Sequence, residues 1–215
     1  MISNKKKVTG GLYLVIDPAM ELDVLLKKLS SAISSGIDVL QIWNNWPEGI
    51  DKVSFIKKIS DLTRSYQIPL LINQEWDLLE QTTDLQGVHF DHYPSDLSMI
   101  KNKIGREIII GLTCSGDLET VKRAHENRLD YISFCSMFPS GSAGSCEIVL
   151  PETVGKAREM TGLPFFISGG ITPENAASLR AQIPFNGVAV ISGILNADDP
   201  AARTKQYRNS LSIKP

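Results

Sequence analysis

Two short runs carry the clearest chemical signal: Ser168-Gly169-Gly170-Ile171 and Val190-Ile191-Ser192-Gly193, each following an apolar stretch. Adjacent glycines let a backbone approach a ligand closely and turn N–H groups toward an anion, and a serine at a helix start adds another donor. Gly169, Gly170, Ile191 and Ser192 are therefore read as a phosphate site. One such loop alone is an ordinary tight turn; two matched loops shift the balance toward a ligand. His89, Asp91 and His92 form a second cluster, because residues two apart on a strand share a face and imidazole with carboxylate suits a transition metal. No third well-spaced ligand accompanies them, so a polar strand end is the better account. Trp43, Trp46 and Trp76 offer flat surfaces for stacking a heterocycle or, equally, for packing and subunit contact. Cys135 and Ser136 have no evident base beside them, and a nucleophilic role is not expected.

These residues lie at the ends of short apolar runs that must hold them in place. The runs cover residues 12–16, 39–42, 69–72, 87–90, 108–112, 131–134, 164–167 and 187–191. Most are continuous in apolar residues, which suits parallel strands buried on both faces. Helical patterns separate them. Leu22, Leu25, Leu26, Leu29 and Ile33 recur at three- and four-residue steps. Val53, Ile56 and Ile59 mark a second helix, and Leu118, Val121 and Ala124 a fifth, with Asp117 as its N-cap. Residues 151–160 and 173–180 each open on a proline, tolerated at the first helical position. Eight β-then-α units without a break predict a single (β/α)8 barrel occupying about residues 11 to 203 of one 215-residue domain, with short tails. In such barrels ligands sit at the carboxyl ends of the strands, and phosphate is held after strands seven and eight, where the two glycine runs fall. The longest irregular stretch, residues 138–150, follows strand six and reads as a binding loop.

Composition bounds the partners. Hydrophobic residues make up 42% and charged residues 21%, enough to bury a core, and a net charge of −2 provides no basic field for nucleic acid or an anionic membrane. Cys114, Cys135 and Cys146 cannot all pair and lack metal-ligand spacing, so they are read as packing or pocket residues in a reducing compartment. The apolar stretch at residues 12–16 is too short for a signal core or a membrane span. A cytoplasmic protein with a small-molecule ligand is expected. Trp46 and Trp76, as aromatic residues at a surface, point to a homo-oligomer.

The tags along the runs resemble the thiamine phosphate synthase (TenI-like) family, which also includes a thiazole tautomerase. They are residues 12–15, Gln41, Leu71-Ile72-Asn73, Gly87-Val88-His89, Ile110-Gly111-Leu112-Thr113, Asp130-Tyr131-Ile132, 167–171 and 187–192. Each is short; their order and spacing over nearly the whole chain carry the resemblance. It implies a condensation of a pyrimidine methyl diphosphate with thiazole phosphate, giving thiamine phosphate and pyrophosphate. A diphosphate leaving group is gripped by magnesium, arginine and lysine as its charge develops. The resemblance also implies a substrate pocket at Gln41, Trp43, Asn45, Asn73, Gln74, Ser140 and Ser142, while Asn73, His89, Thr113 and Ser136 are the candidate catalytic residues of a different enzyme on a phosphorylated heterocycle.

Several positions depart from the family pattern. Its strand-two Gln-x-Arg-x-Lys reads Gln41-Ile42-Trp43-Asn44-Asn45, and its Asn-Asp pair reads Asn73-Gln74. Its second metal aspartate falls on Pro94, leaving Asp91 and Asp96 as candidate ligands for magnesium if the synthase reaction is retained; no other cofactor is expected. Its Thr-x-Thr-Lys loop reads Ser140-Gly141-Ser142-Ala143, and the tautomerase histidine falls on Ser136. Each charge-assisted hydrogen bond contributes about 1.5 to 3 kcal/mol, so the missing cations cost the condensation about a thousandfold or more. The expectation is a synthase-like protein of thiamine biosynthesis that binds thiazole phosphate or thiamine phosphate. The alternatives are a non-catalytic phosphate-ligand or regulatory protein, and a different enzyme on a phosphorylated heterocycle.

Overall fold

The computed structural model describes residues 6–141 and 147–212. Eight parallel strands close into a ring in sequence order: β1 (Gly11–Ile16), β2 (Val39–Ile42), β3 (Leu70–Asn73), β4 (Gly87–Phe90), β5 (Ile109–Thr113), β6 (Tyr131–Phe134), β7 (Phe165–Ile167) and β8 (Gly187–Val190). Helices α1 (Leu22–Ser34), α2 (Lys52–Arg64), α3 (Leu78–Gln81), α4 (Leu97–Ile104), α5 (Leu118–Glu126), α6 (Pro151–Met160), α7 (Pro173–Arg180), α8 (Ser192–Leu195) and α9 (Pro200–Ser212) surround it. This is the expected (β/α)8 barrel, with each strand end within one residue of its apolar run. Leu12, Leu14 and Ile16 of β1 face the helices, whereas Tyr13 and Val15 face the barrel interior. Both faces are covered, which is why these strands carry continuous apolar runs.

The helices follow their stripes with two differences. In α2 the buried residues are Phe55, Ile56, Ile59, Ser60 and Thr63, while Val53 is exposed. At 3.6 residues per turn Val53 sits roughly a quarter turn from the centre of that stripe. The barrel also does not stop near Arg203: α9 runs to Ser212 and packs on α1 and α7. Its inner face is Pro200, Thr204, Tyr207 and Ser210, a set with no apolar periodicity to announce a helix. Tyr207 is fully buried and its hydroxyl donates to the Ile171 carbonyl at 2.8 Å.

Large rings fill the barrel interior. Tyr13, Tyr131 and Phe166 meet edge to face, with centroids 5.3 to 5.8 Å apart. Gly111 makes room for them, since a Cβ there would overlap the Tyr131 ring. Gly111→Ala is expected to destabilise the protein by about 1 to 3 kcal/mol, the usual cost of overpacking a filled core. Urea unfolding would check this, and an unchanged midpoint would show that the interior is looser than described.

Candidate active site at the carboxyl ends of the strands

A cavity of about 340 Å³ opens above these rings, within the range of small-molecule pockets. Tyr13, Phe166 and His89 form its floor, and Val15, Gln41 and Trp43 one wall. Asn73, Asp91 and Thr113 form the next wall, and the loops after β7 and β8 face them, with Cys135 and Ser140 between. Arg203 and Tyr207 of α9 also line it. Ser142 and Cys146 lie outside the described residues.

A buried hydrogen-bond chain crosses the floor. The Tyr13 hydroxyl donates to Gln41 Oε1. Its single proton thus used, it accepts from the Tyr131 hydroxyl at 2.9 Å. Tyr131 in turn accepts from His89 Nδ1 at 3.0 Å, so His89 is assigned the Nδ1–H tautomer. Its Nε2 lone pair then accepts the Thr113 hydroxyl at 2.9 Å, and Thr113 presents only lone pairs to a ligand. Burial pushes both tyrosine hydroxyls above their ordinary range. It also lowers His89 to about 4, against the nearby Asp91 carboxylate, which pulls the other way. His89 is therefore a neutral orienting group near pH 7, not a base poised there.

The ends of β2, β3 and β4 are neutral or self-satisfied. Asn73 Nδ2 and Gln74 Nε2 donate to the two oxygens of Asp91 at 3.0 and 3.1 Å. Of this trio Asn73 and Asp91 line the cavity, whereas Gln74 acts through Asp91 and does not reach it. Asn45 is also outside, donating to Asp17 at 3.1 Å, because the chain after β2 turns outward. Asp96 caps α4 by accepting from the Met99 N–H, on the surface. Ser136 is buried and donates to the Phe138 carbonyl at 2.6 Å, packed under Gly169, not lining the cavity. Trp43 is the one tryptophan lining the cavity among the described residues. Trp46 packs on Phe55 and donates to Glu75, and Trp76 lies under Lys103.

For the magnesium that the resemblance implies, the cavity offers one carboxylate among the described residues, Asp91, where the family pattern has two aspartates. Among the described residues no three His, Cys, Asp or Glu side chains converge to hold a metal. The Asp91 carboxylate already accepts from two side-chain amides.

The opposite rim is built differently. Gly169 and Gly170 adopt φ of +82° and +63°, the left-handed region that a side chain rarely enters. The carbonyls of Ser168, Gly169, Gly170 and Ile171 accept from Met137 N, Phe138 N, Asn175 Nδ2 and the Tyr207 hydroxyl. With its carbonyls consumed by the protein, the loop leaves the Gly169 and Gly170 amides without an acceptor among the described residues. The Ser192 amide, at the start of α8, is likewise without one. Thr172 caps α7 beside them in a reciprocal pair with Asn175. Tyr13 and Phe166 could have been recognised as part of the floor from their inward places in the strand alternation; Arg203 and Tyr207 carried no local signal.

The His89 shift has a sign. Between pH 6.5 and about 4 the unfolded chain holds the imidazole proton and the folded chain does not, so stability is full above pH 6.5 and falls as pH drops through this window. From pH 7 to 5 a loss of about 2 kcal/mol is expected from this group. Urea unfolding of the protein and of His89→Gln at both values measures it; an equal loss in the two would contradict the assignment.

Comparison with known proteins agrees with the fold. A family model described as thiamine monophosphate synthase matches residues 12–194. The chain is 30% identical over 197 residues to a thiamine-phosphate synthase of Methylobacillus flagellatus, covering 92% of this chain and 93% of that one. It is 25% identical over 204 residues to one from Methanobrevibacter smithii, covering 95% and 96%. The solved thiamine phosphate pyrophosphorylase from Pyrococcus furiosus matches with a TM-score of 0.80 at 23% identity, over 94% of this chain and 95% of that one, a likeness of fold. Matched across nearly its whole barrel, the chain belongs to the thiamine monophosphate synthase family.

Proposed function

We propose that this family member binds a phosphorylated heterocycle, thiazole phosphate or thiamine phosphate, and that it runs the diphosphate condensation far below the family's usual rate. The phosphate lies against the amides of Gly169, Gly170, Ile191 and Ser192 and the Ser192 hydroxyl, with the ring toward Trp43 and the Thr113 lone pairs. The observation that carries this reading is the asymmetry of the cavity. One rim, lined by Gly169, Gly170 and Ser192, carries backbone amides with no acceptor among the described residues, as an anion site requires, while the other offers Gln41, Trp43 and Asn73.

A departing diphosphate needs cations whose contacts strengthen as the carbon–oxygen bond breaks. Neutral amides and an indole do not provide them, and Asp91 is of the wrong sign for an anion. A second reading, proton transfer on the same ligand, is favoured by the Thr113–His89 contact. It is weakened by the low affinity of His89 for a proton, and by the engagement of the Ser136 hydroxyl with Phe138.

Calorimetry with thiazole phosphate, thiamine phosphate and the unphosphorylated thiazole alcohol tests the proposal. Both phosphates are expected to bind below about 1 mM, the level of roughly 4 kcal/mol, and the alcohol at least about tenfold more weakly. Failure of both phosphates to bind, or an alcohol that binds equally well, would overturn it.

A further inference from the structure

We infer that Arg203 of α9 is the cation that neutralises the ligand's phosphate; this rests on the phosphate reading above. Among the described residues Arg203 is the only lysine or arginine that lines the cavity. Its place is fixed by Tyr207, one helical turn further on. The Tyr207 ring enters between the two phosphate loops, its hydroxyl donating to the Ile171 carbonyl at 2.8 Å on one side. On the other side it fills the space that a Cβ on Gly193 would occupy. The Arg203 guanidinium lies 5.3 Å from the centre of that ring, so the buried tyrosine carries the cation to the phosphate rim.

The guanidinium is held but not saturated. Nη1 donates to Gln206 Oε1 at 2.8 Å and lies 3.8 Å from Glu174 Oε1. The Glu174 side chain is 75% exposed, so this pair is weakened by solvent and yields readily to a stronger anion. A guanidinium has five donors in a planar fork that matches phosphate oxygens in pairs, and the Gln206 and Glu174 contacts run through one of its nitrogens. The ligand class is a phosphate monoester dianion. Its recognition differs from a diphosphate grip because the charge sits at the β7–β8 end of the cavity and not at the β2–β3 end.

The experiment is calorimetry of the wild type, Arg203→Met, Arg203→Lys and Glu174→Gln with thiazole phosphate and with the unphosphorylated alcohol, alongside thermal unfolding of each. Met keeps the aliphatic packing on Tyr207 and removes the charge. Arg203→Met is expected to weaken thiazole phosphate binding by about 10- to 100-fold and leave the alcohol unchanged. Arg203→Lys should fall between it and the wild type, and Glu174→Gln should tighten phosphate binding by removing a competing carboxylate. Unchanged phosphate affinity in a folded Arg203→Met protein overturns the role of Arg203 while leaving the phosphate site standing. A wild type with no preference for phosphate over alcohol overturns both. If Arg203→Met does not fold, unchanged affinity in both Arg203→Lys and Glu174→Gln overturns the inference.

Discussion

The site depends on how the closed ring of strands is filled. Eight parallel strands leave an interior that side chains must occupy, and here Tyr13, Tyr131 and Phe166 occupy it edge to face. Two of these rings carry hydroxyls that water cannot reach, and a buried hydroxyl must find a partner or cost stability. The partners are each other, Gln41 and His89. One packing requirement thereby fixes the protonation of the histidine, the direction of the Thr113 hydroxyl and the neutrality of the cavity floor.

On that floor the two halves of the cavity differ in what their backbones do. After β7 the carbonyls are drawn into the protein by Met137, Phe138, Asn175 and Tyr207, which leaves amides without an acceptor among the described residues. After β3 and β4 the side chains satisfy one another, with Asp91 held between Asn73 and Gln74. Family membership is compatible with both arrangements, because fold and chemistry are separable when the chemistry resides in side chains at strand ends. The chain keeps the scaffold of the family, and among the described residues Asp91 and Arg203 are the carboxylate and the cation that line its cavity.

The strands were legible because burial on both faces leaves apolar runs, such as those of β1 and β7, that few other structures explain. Their ends were legible too: Gln41, Asn73, His89 and Thr113 reach the cavity because strand alternation dictates where they point. Beyond the last strand residue that rule lapses, and local partners decide. Asn45 turns to Asp17, and Asp96 to the helix it caps. Ser136 was misread for a related reason, being drawn down to the Phe138 carbonyl under Gly169. Helix α9 escaped notice because Thr204 and Ser210 pack inward beside Tyr207, and small polar residues leave no periodic signal. Arg203 could not be placed from sequence, since it comes to share one cavity lining with Thr172 and Ser192 only in the folded chain.

The central claim is that the cavity retains a phosphate rim without a diphosphate grip. Its most direct test is the rate of thiamine phosphate formation from the pyrimidine diphosphate and thiazole phosphate with magnesium, measured beside the Methylobacillus flagellatus relative under the same conditions. The account predicts a rate lower by about a thousandfold or more, as the loss of several charge-assisted contacts requires. A rate within about tenfold of the relative would contradict it, because each factor of ten corresponds to only about 1.4 kcal/mol of transition-state stabilisation.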